Sequence, residues 1–279
     1  MTTVQALALG LIQGIAEFLP ISSSGHLALL KNLLGLEEIP LLFDVILHIA
    51  TLFAVIIVLR KRIAAILVAL WAFLFRRKNE NRSLSPADAD PLALEKKRNL
   101  AYIPPILIAT AVTGVLGYGI QEFFPSGGTR AMAARMLFTA LVLGLTVFAK
   151  PGNRGPESIG WKRAAFVGLA QGVGVFSGVS RSGMTISAGL FAGLDRATAG
   201  EYSFLLSIPA IGGAFLLTLK DAGEMMGMVS YGNLALSALA AFVSGLLSLK
   251  VLLRIIKGGK IYWFALYLVV IGVIGLIFG

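Results

Sequence analysis

Residues 13–26, QGIAEFLPISSSGH, bring a glutamine, a glutamate and a histidine close together, with three serines between them. Because Gln13 and Glu17 are four positions apart, they share one face of a helix. Their amide and carboxylate oxygens suit Mg²⁺ or Ca²⁺ if water or phosphate oxygens complete the shell. The same pair could instead form a hydrogen bond between helices. Beside a phosphate, His26 could act as general acid, general base or nucleophile, and Ser23 is a rival nucleophile.

Serine and glycine residues in SSSGH (22–26) and SRSG (180–183) each precede an apolar segment that we predict to be helical. A helix N-terminus carries open N–H groups and partial positive charge, so two converging N-termini form an anion site. Arg181 adds a forked donor that suits phosphate oxygens. Serine–glycine sequences also form simple turns, and the arginine is therefore the stronger indication of a phosphate site.

The composition is that of an all-α integral membrane protein. Of the 279 residues, 57% are hydrophobic and 14% are charged, and the mean hydropathy is +0.86, whereas soluble domains carry about 25% charged residues. The absence of cysteine excludes disulfides and thiolate metal sites. The net charge is +10, but the basic residues form no stripe with interleaved aromatic residues. We therefore expect a lipid bilayer, and no nucleic acid, as partner. No cleavable signal peptide is evident.

Five apolar segments are long enough to cross a bilayer, which takes a helix of about 20 residues. They are 41–59, 99–121, 131–149, 201–219 and 232–253, with a marginal sixth at 261–278. We therefore expect about six transmembrane helices. The shorter segment 63–75 lies between basic clusters, which favours a helix at the membrane interface.

Two pairs of shorter apolar segments flank polar breaks. The pairs are 3–18 with 22–36, and 164–178 with 183–194. Each half is too short for a comfortable crossing, and irregular backbone inside a membrane must be satisfied by protein or water. This pattern predicts two re-entrant helix hairpins, and the alternative is a pair of short spans joined by a surface turn.

Positive charge is concentrated in three loops, which the positive-inside rule places in the cytoplasm. The clusters are Arg60–Arg62, Arg76–Lys78 and Lys96–Arg98 in the first loop, Lys150, Arg154, Lys162 and Arg163 in the second, and Arg254, Lys257 and Lys260 in the third. Three cytoplasmic loops require that each broken pair enters and leaves on one side, the first from outside and the second from inside. Both termini then lie outside, as do the acidic residues Glu37, Glu38, Asp221 and Glu224.

The second polar break repeats the first. Residues 10–25, GLIQGIAEFLPISSSG, align without a gap with 168–183, GLAQGVGVFSGVSRSG, and eight of sixteen positions are identical. The charge pattern gives the copies opposite orientations. We therefore predict one membrane domain over 1–279 that consists of inverted-topology repeats, approximately 1–149 and 150–279, with the hairpin tips meeting near the midplane.

The two copies differ in the residues that can do chemistry. Glu17 aligns with Val175, Ser23 with Arg181, and His26 with Met184. The alignment predicts one composite site that takes its carboxylate and imidazole from the first copy and its guanidinium from the second.

Further polar residues allow two interpretations. Asp44 and His48 are four positions apart and could face the site or form a structural hydrogen bond. The same two alternatives apply to Glu201 and Ser203. Lys31 ends a short helix, and we expect it to extend toward the membrane interface.

The segments QGIAEFLPISSSGH and SGVSRSG resemble the two signatures of the undecaprenyl-pyrophosphate phosphatases of the bacitracin-resistance type. The first signature is Glu/Gln-x-x-x-Glu followed by Phe-Leu-Pro, a Ser/Thr run, Gly and His. The second is Pro-Gly-x-Ser-Arg-Ser-Gly. The resemblance extends over nearly the whole chain and includes EYSFLLSIP after the second break, but Ser177 stands where the second signature has proline.

The resemblance implies hydrolysis of undecaprenyl pyrophosphate to undecaprenyl phosphate and inorganic phosphate. This reaction recycles the lipid carrier of peptidoglycan synthesis and confers bacitracin resistance. The resemblance also implies a divalent cation, Mg²⁺ or Ca²⁺, and a site that opens to the periplasmic face of the bacterial inner membrane.

Residues at the matching motif positions take their expected roles from the same resemblance. The catalytic residues would be Glu17, Ser23, His26 and Arg181, the substrate-binding residues Ser22, Ser24, Ser180, Arg181 and Ser182, and the metal ligands Gln13 and Glu17. We favour Ser23 or water as the attacking group and His26 as the proton carrier, and the sequence leaves the choice open.

A flippase or transporter for polyprenyl phosphates is the alternative function, because inverted repeats with broken helices are typical of transporters. A carrier would use Arg181 and the anion site but would not need Glu17 beside a nucleophile and an acid. The residues therefore favour an enzyme. The sequence does not define the oligomeric state, and a homodimer is left open.

Overall fold

A computed structural model of the chain describes residues 1–36, 39, 41–75, 91–124, 127–150, 152–218 and 229–278. Within these ranges the chain is helical, apart from loops and one isolated β-bridge between Arg154 and Leu194. The prediction of an all-α protein is confirmed. Several charged residues of the topology prediction lie outside the described residues, namely Glu37, Glu38, Arg76–Lys78, Asp221 and Glu224.

Twelve α-helices follow one another in the described part of the chain. They are α1 (Thr3–Phe18), α2 (Ser23–Leu33), α3 (Leu41–Val58), α4 (Arg60–Phe75), α5 (Pro91–Leu100), α6 (Ile103–Phe123), α7 (Thr129–Leu145), α8 (Gly160–Val173), α9 (Arg181–Phe191), α10 (Arg196–Thr218), α11 (Tyr231–Lys257) and α12 (Trp263–Phe278).

Five helical stretches among the described residues are long and apolar enough to cross a membrane. They are Leu41–Val58, Pro91–Phe123, Thr129–Phe148, Arg196–Thr218 and Tyr231–Lys257. They coincide with the five predicted spans, and the prediction of a multi-pass membrane protein is confirmed. The marginal sixth segment forms α12, which has only 16 residues, and the segment predicted at the interface forms α4, which begins at Arg60 rather than at 63.

Each polar break joins two short helices. We call residues 19–26, between α1 and the first turn of α2, the first tip, and residues 174–183, between α8 and the first turn of α9, the second tip. The hydroxyl of Ser22 accepts a hydrogen bond from the Gly25 amide at 3.2 Å, and the hydroxyl of Ser180 accepts one from the Gly183 amide at 3.2 Å. The two copies therefore use the same serine N-cap.

Because of the shared serine cap, both helices begin closer to the N-terminus than we predicted. The predicted helices began after His26 and after Gly183, but α2 begins at Ser23 and α9 at Arg181. Once a serine hydroxyl caps the helix, the polar residues that follow form its first turn. Ser23 and Arg181, which align in the repeat, therefore both occupy the first position of a helix.

Small residues let α1 approach α11 closely. Gly10 and Gly14 lie against Ser237 and Ala241, and a β-carbon on either glycine would overlap the backbone of α11. The Ser248 hydroxyl donates to the carbonyl of Gly14 at 2.7 Å. Close approach at small residues is a common way for helices to associate in a membrane, where lipid is as apolar as the side chains.

The second copy packs on α6 in the same manner. Gly168 abuts the backbone of Ala109, and the Thr113 hydroxyl donates to the carbonyl of Gly168 at 3.0 Å. Thus α1 packs on a helix from the C-terminal half of the chain, and α8 packs on a helix from the N-terminal half. The two halves interlock, and this brings the two tips together.

Replacing Gly14 with alanine is expected to lower the thermal unfolding temperature of the purified protein. The new β-carbon has no room beside Ala241 and Ser244, and overpacking costs about 1–3 kcal/mol. Gly114→Ala on α6 is the matched control, because nothing lies within 4 Å of a β-carbon there. An unchanged or raised Tm for Gly14→Ala would contradict the close packing of α1 on α11.

Candidate functional site

The two tips contact each other directly. The amide of Gly178 donates to the Ser24 hydroxyl at 3.2 Å. The guanidinium of Arg181 forms an ion pair with the carboxylate of Glu17, although the two residues are 164 positions apart in the sequence. Residues from both copies of the repeat therefore line one site.

The carboxylate of Glu17 is the centre of this site, and its side chain is only 3% exposed. Arg181 Nη2 binds its Oε1. Its Oε2 accepts hydrogen bonds from Ser23 Oγ at 2.7 Å and from Gln13 Nε2 at 3.0 Å, and His48 Nε2 lies 3.3 Å away. A buried carboxylate is costly unless its charge is compensated and its oxygens are hydrogen-bonded, and these four groups meet both conditions.

Three helix ends position Glu17 and three of its partners, and the fourth partner, His48, lies within α3. Gln13 and Glu17 occupy successive turns near the C-terminal end of α1, whereas Ser23 and Arg181 are the first residues of α2 and α9. The N-termini of α2 and α9 thus both point their partial positive charge at the site. Among the described contacts, Arg181 uses only Nη2 on Glu17, which leaves Nε and Nη1 to bind a further oxygen ligand.

Ser22 holds an unusual backbone conformation at the first tip. Its φ of 71° makes it the only non-glycine residue with a positive φ among the described residues. Such a conformation costs about 1–3 kcal/mol and persists only where the surroundings define it. The carbonyl of Ser22 accepts from the backbone N–H of His26 at 3.1 Å and lies 2.9 Å from its Nδ1. The strained residue therefore fixes the position of the His26 ring.

Tyr267 of α12 completes the surroundings of His26. Its hydroxyl lies 2.6 Å from Nε2, and the two rings are nearly parallel, with 11° between their planes and 5.6 Å between their centroids. Tyr267 was not among the predicted site residues. The available signal was a phenol within the otherwise apolar segment 263–278, but nothing in the sequence indicates that α12 reaches the first tip.

The structure separates the two members of the pair Asp44 and His48. His48 faces Glu17, and its Nδ1 lies 2.7 Å from the Asp44 backbone carbonyl. The carboxylate of Asp44 instead pairs with Lys31 at 2.7 Å. The expectation that Lys31 extends to the membrane interface is wrong, because this ion pair holds its side chain inside the protein, where Lys31 is 8% exposed.

Ser203 and Glu201 are also separated. Ser203 lines a cavity of about 10 Å³ beside Glu17 and Arg181, and its hydroxyl lies 2.5 Å from that of Thr185. Because the Thr185 hydroxyl donates to the backbone carbonyl of Arg181 at 2.9 Å, this pair braces the first turn of α9.

Glu201 lies outside the site, although it is only two positions from Ser203. Its carboxylate accepts from Arg62 Nε at 3.1 Å and from the Tyr102 hydroxyl at 2.9 Å. The glutamate therefore links α10 to α4 and to the start of α6. Of the two alternatives that the sequence left open for Glu201, the structural one is observed.

The remaining serines of the prediction lie in the tips. Ser22 and Ser24 hydroxyls are 3.5 Å apart, and those of Ser180 and Ser182 are 3.3 Å apart. Ser182 also lines the small cavity beside Arg181. Of these four serines, Ser182 is the one that lies beside the Glu17–Arg181 pair, whereas the other three form hydrogen bonds within or between the tips.

The donor set offers two oxygen ligands to a cation. Gln13 Oε1 is buried and has no hydrogen-bond partner among the described residues, and its amide lies beside the Glu17 carboxylate. No group of three or more His, Cys, Asp or Glu residues that could hold a metal occurs in the described ranges. An amide and a carboxylate fit a hard cation such as Mg²⁺, which usually retains water or phosphate oxygens as its other ligands.

An apolar groove of about 320 Å³ lies beside the second tip. Residues of α7, the last residue of α8 and residues of the second tip line it, namely Ala134, Arg135, Phe138, Val173, Phe176 and Val179. The guanidinium of Arg135 lies over the Phe176 ring at 5.1 Å and donates to the Ser177 carbonyl at 3.1 Å. The polar site therefore borders a surface that suits an apolar chain.

Comparison with known proteins gives one consistent family. The model of the family described as bacitracin resistance protein BacA matches residues 6–274. The undecaprenyl-diphosphatase of Treponema denticola is 45% identical over 272 residues, which cover 98% of this chain and 96% of that protein. The undecaprenyl-diphosphatase of Desulforapulum autotrophicum is 42% identical over 284 residues, which cover 100% of this chain and 99% of that protein.

Arg181→Ala is expected to lower the stability of the purified protein, because it leaves the buried Glu17 carboxylate without its guanidinium partner. Breaking a buried ion pair from one side costs about 3–5 kcal/mol. The double variant Glu17→Gln/Arg181→Met removes both charges and should recover most of that loss in thermal unfolding. Arg130→Ala, at an exposed position of α7, is the control. Equal losses in the single and double variants would show that the ion pair does not determine the stability of the site.

Proposed function

The chain belongs to the bacitracin resistance protein BacA family, and from this membership we propose that it is a membrane undecaprenyl-diphosphatase. It hydrolyses undecaprenyl pyrophosphate to undecaprenyl phosphate and inorganic phosphate. Relatives that carry this name match nearly the full length of the chain, and the family resemblance of the two motifs is confirmed. The observation that carries the chemistry is the 2.7 Å contact between the Ser23 hydroxyl and the buried Glu17 carboxylate.

We assign the attack on the terminal phosphorus to Ser23. A serine is a weak nucleophile unless an adjacent base accepts its proton, and Glu17 Oε2 is that base. As the new P–O bond forms, the bond to the bridging oxygen breaks, and its electron pair leaves with undecaprenyl phosphate. The proton of Ser23 passes to Glu17.

The second step removes the phosphate from Ser23. Water attacks the phosphorus of the phosphoserine and gives a proton to His26, the P–Oγ bond breaks, and Ser23 regains its proton from Glu17. Inorganic phosphate is released and His26 passes its proton to solvent, so the sum of both steps consumes one water and one undecaprenyl pyrophosphate and restores the site. His26 lies three residues after Ser23 on the first turns of α2, which places both groups at the same tip.

Electrostatic stabilisation comes from Arg181 and the two helix N-termini. Phosphoryl transfer depends mainly on positioning and on stabilising negative charge. Arg181 Nε and Nη1, which have no partner among the described contacts, supply donors for the pyrophosphate oxygens, together with serine hydroxyls of both tips and the first amides of α2 and α9. The apolar groove beside Phe176 and Val179 supports a substrate with a long apolar tail.

A divalent cation, Mg²⁺ or Ca²⁺, would be held by Glu17 and by the unpartnered Oε1 of Gln13. When bound, it would offset negative charge on the pyrophosphate. The chain's own residues bind and orient the substrate through Arg181 and the tips, and they move the protons through Glu17 and His26.

The architecture that we propose for this activity is a single membrane domain of two inverted repeats, approximately 1–149 and 150–279. The two broken pairs are re-entrant hairpins whose tips form the site, which opens to the periplasm from the bacterial inner membrane, with both termini outside. The 16-residue length of α1, the shared serine caps and the contact between Ser24 and Gly178 support this arrangement. A homodimer stays a prediction.

The flippase alternative is not favoured. Its anion site would be the same, but a carrier has no use for a serine whose hydroxyl donates to a buried carboxylate. The relatives that match the whole chain are named as diphosphatases.

Ser23→Ala is expected to lower phosphate release from undecaprenyl pyrophosphate by at least about a hundredfold, because it removes the attacking group. The assay uses the purified chain in detergent, and Ser158→Ala, at an exposed serine in the loop before α8, is the matched control. Turnover of Ser23→Ala at the wild-type rate would exclude Ser23 as nucleophile.

The same assay tests the cation. EDTA should abolish phosphate release, and added Mg²⁺ or Ca²⁺ should restore it. Activity that persists in EDTA would remove the cation from the proposal.

Single cysteines test the orientation, because the chain contains no other cysteine. A membrane-impermeant maleimide is expected to label Gln121→Cys at the end of α6 in intact cells. It should label Asn153→Cys in the loop before α8 only after the cells are permeabilised. Both side chains are exposed in the structure. Labelling of Asn153→Cys in intact cells would contradict the proposed orientation.

A further inference from the structure

The two nitrogens of the His26 ring have different partners. Nδ1 lies 2.9 Å from the backbone carbonyl of Ser22. A carbonyl oxygen can only accept, so Nδ1 carries a proton. In the neutral ring the other nitrogen, Nε2, then has a lone pair and accepts a hydrogen bond.

The partner of that lone pair is the hydroxyl of Tyr267, 2.6 Å from Nε2. A phenol can donate, so the geometry satisfies both nitrogens of a neutral imidazole at once. The nearly parallel rings limit rotation of the imidazole about its side-chain bonds. His26 is thereby held in one orientation by a carbonyl on one side and a hydroxyl on the other.

The position of Tyr267 is itself defined by packing. Gly272 and Gly275 of α12 lie against Ala133 and Leu137 of α7, where a β-carbon would overlap its neighbours. This close contact brings the start of α12 to the first tip. Tyr267 itself is 42% exposed, and its hydroxyl nevertheless lies against the His26 ring.

We propose that Tyr267 is a positioning residue for His26: in the resting site its hydroxyl donates to Nε2 and so fixes the tautomer and the orientation of the ring, and the hydroxyl turns away from Nε2 when that lone pair takes the proton of the attacking water. The proposal rests on the proposed function, in which His26 takes a proton from the attacking water. It excludes an initial role of the neutral His26 ring as proton donor to the leaving group, because Nε2 of that tautomer carries no proton.

The chain contains only two histidines, so ¹⁵N labelling of histidine allows a direct test on the full-length protein in detergent or nanodiscs. The signals that disappear in His26→Ala identify the His26 ring. At a pH at which this ring is neutral, we expect a protonated Nδ1 and an unprotonated, hydrogen-bonded Nε2. In Tyr267→Phe the Nε2 signal should move to the position of a free imine nitrogen while Nδ1 stays protonated.

Kinetics provide the second readout. Tyr267→Phe should lower kcat by about tenfold at most, as expected for the loss of one hydrogen bond, and should change KM by less than about twofold. In the His26→Ala background the same substitution should cause no further loss, because Tyr267 acts through His26. Tyr262→Phe is the matched control, because Tyr262 lies near the start of α12 and contacts Trp263 rather than His26.

The outcomes separate the two proposals. A neutral His26 ring protonated at Nε2, or a Tyr267→Phe variant with unchanged Nε2 signal and kcat, would overturn the positioning role. Additive losses in the double variant would also overturn it. If the wild-type chain releases no phosphate, the proposed function fails, whereas the ¹⁵N signals still decide whether Tyr267 donates to His26.

Discussion

The burial of one carboxylate organises this structure. Glu17 lies at the end of α1, just before the first tip, and its side chain is nearly inaccessible to solvent. Its charge must therefore be compensated by the protein. The compensating guanidinium comes from the other copy of the repeat, at a position where the first copy has Ser23. The requirement that Glu17 meet Arg181 demands that both tips reach the same point. The end of α1 and the starts of α2 and α9 therefore all lie at this point.

The comparison of the two copies shows how a repeated scaffold has acquired different chemistry. Gln13 and Gln171 occupy equivalent positions, yet Gln13 donates to Glu17 whereas Gln171 has Val175 in place of a glutamate four positions later and donates to the Thr113 hydroxyl at 3.1 Å. Both amide oxygens are buried, and neither has a hydrogen-bond partner in the part of the chain that the structure describes. The fold has therefore kept the amides in both copies, and the presence of Glu17 alone makes the first one part of the site.

Local sequence was sufficient for the features that depend on composition or on the repeat. The five spans followed from hydrophobic length, and Glu17 and Arg181 followed from alignment of the two polar breaks. The start of α2 was predicted too late in the sequence. A serine followed by polar residues and then by apolar residues gives the same sequence pattern whether the polar residues form a turn before the helix or the first turn of the helix. Tyr267 and His48 were missed or left open because their roles depend on the contacts of α12 with α7 and of α3 with α1, which arise between segments far apart in sequence.

The close packing of α1 on α11 has a consequence for the order in which the protein can assemble during synthesis. The hydrogen bond from Ser248 to the carbonyl of Gly14 joins residues 234 positions apart. A ribosome has completed most of the chain before this partner of the first helix exists. Until then the small-residue face of α1 and the carboxylate of Glu17 lack their final neighbours, and Arg181 is also still unmade during the insertion of the first five helices. The contacts that bury Glu17 and the small-residue face of α1 therefore become available only after most of the chain has been synthesised.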